Sequence, residues 1–133
     1  STRLEDEEFK KRIEKALSEI ARETNGADEA VVVYTYSLSP FSAETKNVLD
    51  RLKIPYKEIS LGKEWLPGLL APGGAEKRAA LLQLTGQSSL PHIFVGGKSI
   101  GGLFSGNPGL IPALRTGQFM RLVEAASISP GLP

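Results

Sequence analysis

The sequence of 133 residues contains no cysteine. That absence excludes disulfide stapling, thiolate-bound metals and any thiol chemistry in the chain as it stands, and says little about compartment. Long apolar runs are also missing. None approaches the ~20 residues needed to cross a bilayer, so no membrane partner is expected. Charge of one sign is not in excess either: 16 Lys and Arg against 15 Asp and Glu leave a formal net charge of +1. This argues against a dedicated nucleic-acid binder. The one histidine, His92, has no evident orienting partner, so a serine hydrolase lacks its base. There is no signal-peptide pattern, because the N-terminus is acidic and amphipathic. The chain begins with Ser1 rather than Met, so a trimmed targeting segment or tag is expected. No internal repeat or low-complexity tract is present.

What is present suits one domain with a hydrophobic core: 41% of residues are hydrophobic and 23% charged. "LEDEEFKKRIEKALSEIARE" reads as a helix over about 4–23, with Phe9, Ile13, Ala16, Leu17 and Ile20 forming one apolar stripe. Asn25-Gly26 is its stop signal. "AVVVYTY", 30–36, is β-branched and aromatic without clean alternation, which predicts a strand buried on both faces. Helical spacing resumes behind Pro40, through Val48, Leu49 and Leu52. "IPYKEISL", 54–61, is a second strand, which completes a βαβ unit. Residues 62–74 read as a loop in which Trp65 is a packing residue. A helix is expected over 75–86, with Ala79, Leu82 and Leu81 inward and Gly86 as its cap. "PHIFVGGKSIGG", 91–102, is a hairpin turning at Gly96-Gly97. Residues 107–126 read as helix in two pieces, interrupted by Pro112 and Gly117.

The order α-βαβ-α-ββ-α predicts an α/β fold, a mixed sheet of about four strands flanked by helices. It places Ser39 and Ser42, in "YSLSPFSAETK", at the start of a helix directly after a buried strand. Free N–H groups and a partial positive charge gather there. A thiol at such a place would have a depressed pKa, and two thiols separated by two residues could form a disulfide. Serine also suits the position as an ordinary N-cap.

"VVVYTYSLSPFSAETKNVLDRLKIPY" resembles the active-site unit of the glutaredoxin family, where a strand leads to Cys-Pro-Tyr/Phe-Cys and a helix. "LTGQSSLPHIFVGGKSIGG" is similar to a second glutaredoxin segment, with Thr85-Gly86, Leu90-Pro91, Phe94, Gly97 and Ile100-Gly101-Gly102 in register. The resemblance covers roughly 30–125 and implies a thioredoxin-like fold with an extra N-terminal helix. It places Ser39 at the nucleophilic cysteine and Ser42 at the resolving one. It makes Pro91 a cis-proline facing that loop, and Ser89 and Leu90 the pair whose backbone meets the cysteinyl unit of glutathione. Gly101, Gly102, Leu103, Phe104 and Ser105 correspond to the loop around the γ-glutamyl end, and Tyr36 and Phe41 border the groove. Three departures stand out. Both cysteines are serine, Tyr36 replaces a lysine that contacts a glutathione carboxylate, and no acid follows Gly102.

The implied parent activity is glutathione-dependent thiol–disulfide exchange, which this chain cannot perform. Cysteine-to-serine replacement by an experimenter is one explanation. The alternative is a natural thiol-free module that binds glutathione or a protein partner. Glutathione is the expected ligand, protein disulfides or glutathionylated proteins are the expected partners, and no metal site is expected. An iron–sulfur cluster would require the cysteine at 39 to be restored. The expected organisation is an amphipathic helix over 1–26, a glutaredoxin-like domain over 27–127 and a frayed tail over 128–133. A monomer is expected, in the cytoplasm or in an organelle such as a plastid or mitochondrion.

Overall fold

The computed structural model describes residues 2–26, 28–66 and 68–128. From residue 129 onward the expected tail lies outside them. The elements follow in the order α1 (Thr2–Asn25), β1 (Val31–Thr35), α2 (Pro40–Arg51), β2 (Tyr56–Ser60), α3 (Gly74–Thr85), β3 (His92–Val95), β4 (Lys98–Gly101), α4 (Leu110–Thr116) and α5 (Gln118–Ile128). They build the mixed four-stranded sheet that the sequence predicts, in the order β2-β1-β3-β4. β1 runs parallel to β2 and antiparallel to β3, and β3 is antiparallel to β4.

β1 is buried along its whole length because it is central and both faces are covered. Val31 and Val33 join Leu49, Ile93, Leu110 and Phe119 beneath α2, α4 and α5. Val32 and Tyr34 join Ile20, Leu81 and Phe94 beneath α1 and α3. This two-sided burial explains why the strand lacks polar alternation. Full burial of each such side chain contributes about 1.5–3 kcal/mol.

α1 belongs to the second of these layers. Ile13, Ala16 and Ile20 are buried, and Leu17 packs at the margin. Tyr34 Oη donates to Glu23 Oε1 at 2.7 Å. Lys77 pairs with Glu23 and stands 3.7 Å from Glu19. Phe9 departs from the expected stripe and is exposed, with the Arg12 guanidinium over its ring. At 24 residues α1 is twice as long as the 12-residue α3, about 36 Å against 18 Å, so its first turns overhang the support.

Three further expectations are corrected. In α3 Leu81 and Ala79 pack inward as expected, with Ala80 between them, but Leu82 is exposed. "AALL" allows two faces one residue apart, and the ion pairs of Lys77 select the face shared by 77 and 81. Trp65 is 55% exposed instead of packed. It rides on a loop whose base is closed by Lys63 N–H to Leu69 O and Ala71 N–H to Leu61 O. Pro112 does not interrupt a helix; it lies in the first turn of α4, where no intrahelical N–H is required. Gly117 does separate the two pieces, as the left-handed cap of α4. The hairpin turns at Gly96 and Gly97, with φ of 58° and 84°, which only glycine adopts without strain.

Candidate functional site

The end of β1 turns into α2 through residues 36–39. Ser39 N–H donates to Tyr36 O at 3.1 Å, and Ser37 and Leu38 donate to Gly62 O and Lys63 O. Ser39 is the N-cap of α2, with Pro40 behind it, and its Oγ accepts the Ser42 N–H at 3.2 Å. Ser42 is fully buried and its Oγ accepts the Tyr36 N–H at 3.2 Å. The two hydroxyls therefore differ: that of Ser39 sits at the open amide end of the helix, whereas that of Ser42 closes the loop from inside.

The second segment enters from α3, which ends in the left-handed cap Gly86. Leu90–Pro91 is cis, as the resemblance implies. β1 and β3 pair Tyr34 with His92, so continuing that register sets Tyr36 across from Leu90. Ser89 is exposed, whereas Leu90 and Pro91 are buried. Gly102 N–H donates to Ser105 O at 2.9 Å. A Cβ on Gly102 would stand 3.5 Å from Pro91 O, so the glycine loop lies directly against the cis-proline. Gly101 has a φ of 93°, and a Cβ there would stand 2.6 Å from Gly106 Cα, which leaves no room for a side chain. Phe104 reaches back over α2 and meets Phe41 edge-on, with ring centroids 5.8 Å apart. The structure thus links Ser39, Phe41, Phe104, Ser105, Gly102 and Pro91 around one end of the sheet. Leu103 is the exception, its side chain buried in the core beneath α4.

Tyr36 is 6% exposed and faces the α1/α3 layer. Burial raises its hydroxyl pKa, and the nearby Arg78 guanidinium works in the opposite direction. Arg78 was not singled out in the sequence. Its Nε and the Tyr36 hydroxyl are both buried without a hydrogen-bond partner among the described residues. The available signal was spacing, because Arg78 lies three residues before the inward-facing Leu81. Gln87 was also missed. Its Nε2 donates to Ser89 O at 2.9 Å and to Pro91 O at 3.2 Å, and a glutamine in a loop carries no signal of such a bridge.

Neither ring nitrogen of His92 bonds a site serine. Nε2 is 2.7 Å from Ser99 Oγ, Nδ1 has no partner among the described residues, and the ring stacks on Phe94. Burial holds its pKa down at about 4. Among the described residues the Ser39 hydroxyl has no hydrogen bond to a base, and the arrangement does not equip it for nucleophilic catalysis. It can present amide hydrogens and a helix terminus to an anionic or polar group.

Residues 31–100 match the family model described as Glutaredoxin. The chain is 37% identical over 76 residues to a protein of Ricinus communis named "Glutaredoxin", an alignment covering 57% of this chain and 68% of that one. It is 37% identical over 76 residues to "Glutaredoxin-C4, chloroplastic" of Oryza sativa subsp. japonica, covering 57% of this chain and 52% of the relative. Among solved structures it superposes on a buckwheat glutaredoxin–glutathione complex with a TM-score of 0.73 and 28% identity, covering 87% of this chain and 94% of that one. No helix among the described residues is long and apolar enough to cross a membrane.

Proposed function

The chain belongs to the glutaredoxin family, and from that premise we propose that it is a glutathione-binding member whose thiol–disulfide exchange is disabled by Ser39 and Ser42. The observation that carries this reading is the N-cap geometry of Ser39, whose Oγ receives the Ser42 amide at the open end of α2. A sulfur there would receive the same amide, and its thiolate would be stabilised by the helix terminus. A hydroxyl is hardly ionised at neutral pH and forms no disulfide.

The parent reaction needs one thiolate at position 39. It attacks the glutathionyl sulfur of a mixed disulfide and expels the substrate thiolate. A second glutathione, as its thiolate, then attacks the glutathionyl sulfur of the enzyme–glutathione mixed disulfide, which releases oxidised glutathione and expels the starting thiolate. The residues present do not fit an iron–sulfur cluster, whose irons are held by thiolates. For glutathione itself, Leu90 and the Gly102 loop supply backbone groups, and Arg78 offers a cation beside Tyr36 for a carboxylate. Loss of one charge-assisted contact costs about 1.5–3 kcal/mol, so the absence of charge at Tyr36 and Leu103 makes binding weak. The proposed setting is cytoplasmic or organellar, and a plastid is in keeping with the chloroplastic rice relative.

A second reading, a thiol-free module for a protein partner, is favoured by one observation. Leu38, Phe41, Trp65, Leu66 and Phe104 are all exposed, on the site loops and on the loop tied to them. The two readings separate in one set of experiments. Millimolar glutathione should shift the amide resonances of 38–42, 88–91 and 101–106. Ser39→Cys should create a thiol that is alkylated well below pH 8.5 and that turns over a glutathione mixed disulfide, whereas Ser42→Cys should react slowly because that position is buried. An unperturbed thiol without turnover, together with unshifted amides, would leave the protein-partner reading.

A further inference from the structure

Gln87 lies between the Leu90-Pro91 segment and the Gly102 loop. One side-chain nitrogen donates to Ser89 O and to Pro91 O, and so spans Leu90 from both sides. A primary amide has two N–H donors, and both are used here. The same Nε2 is 3.8 Å from where a Cβ on Gly102 would stand. The bridge is anchored behind: Gln87 N–H donates to Thr85 Oγ1 at 3.1 Å, and Thr85 Oγ1 donates to Leu81 O at 2.8 Å in the last turn of α3. The backbone N–H and C=O of Leu90, between the two held carbonyls, make no hydrogen bond among the described residues. Unpaired backbone groups at a buried residue call for a partner, and an extended peptide supplies one by adding alongside.

We infer that Gln87 is a positioning residue for the ligand. By holding the carbonyls on either side, it fixes the Leu90 backbone groups in the orientation that an extended peptide ligand requires, and it sets their spacing from the Gly102 loop. The inference rests on the glutathione reading above. Gln87 makes no hydrogen bond to Ser39 or Ser42 among the described residues, so its contribution is to ligand binding and not to the reactivity of position 39.

The test uses Gln87→Met, which keeps length and neutrality and removes both donors. In the full chain, glutathione affinity measured by amide-shift titration should fall about tenfold, the weight of roughly one hydrogen bond, and the Ser89, Leu90 and His92 amides should move before any ligand is added. In the Ser39→Cys background, the same substitution should raise KM for a glutathione mixed disulfide about tenfold and leave the alkylation rate of the introduced thiol unchanged. Damage to the site as a whole would lower both together and would overturn the assignment. Unchanged affinity, or unmoved amides at 89–92, would also overturn it. If the parent chain itself fails to bind glutathione, the ligand reading falls and the role of Gln87 falls with it. Binding by the parent that is equal in Gln87→Met removes the role of Gln87 alone.

Discussion

His92 shows how one side chain can be chemically prominent and functionally quiet. It adjoins the cis-proline, yet it is buried, stacked on Phe94 and bonded to Ser99. Its cost is paid in acid. The unfolded chain binds a proton near pH 6.5, and the folded chain resists until about 4. Stability from this group is therefore complete above pH 6.5 and is lost as pH falls towards 4. The loss amounts to about 3 kcal/mol at 1.36 kcal/mol per unit. Urea unfolding at pH 7, 5 and 4 should show the decline, and His92→Leu should flatten it in this range. A variant with the same slope as the parent would assign the acid sensitivity to other groups.

At the scale of elements, α1 is a packing member of the domain. Ile13, Ala16 and Ile20 enter the core beneath α1 and α3, and Glu23 takes the Tyr34 hydroxyl while pairing with Lys77. Ile20→Ala should cost about 2–5 kcal/mol. Glu23→Ala, which strands two polar groups, should cost about 1–3 kcal/mol. Both are measurable by chemical unfolding, and values near zero would make α1 a loosely attached arm. Much of this scale was legible in the sequence. β1 lacks alternation because it is covered twice, Gly86 and Gly96-Gly97 mark positive φ, and Pro40 opens α2. What escaped depended on tertiary partners. The α3 face was decided by Lys77 meeting acids of α1, the exposure of Phe9 by the greater length of α1, and the surface position of Trp65 by hydrogen bonds at the base of its loop. The site was legible as positions, through Ser39, Leu90-Pro91 and Gly101-Gly102. The polar groups that brace it, Arg78 and Gln87, were not, because each acts through a neighbour that only folding brings near.

Across the whole molecule, two apolar layers clamp one sheet, and the site proposed for glutathione lies where the C-terminal end of β1 meets the N-terminal end of β3. Loops from both layers meet there: the Ser39 turn, the Leu90-Pro91 segment and the Gly102 loop. A ligand that joins them stabilises the folded chain as a unit. Glutathione at ten times its dissociation constant should add about 1.4 kcal/mol. For a chain of this size that raises the melting temperature by a few degrees. Calorimetry with and without ligand reads this directly, and an unmoved midpoint at saturating ligand would contradict binding at the groove.

The loop that carries Trp65 has a practical consequence. This is the single indole in the chain. It is held out in solvent on a loop whose base bonds to Leu38 beside Ser39. Its emission should already be red-shifted in the native protein and should change little when the core melts. The intrinsic fluorescence that usually follows unfolding would here be nearly blind to it. A quencher or a blue shift would instead report what comes to rest on the rim of the groove, making this residue a built-in optical gauge of occupancy.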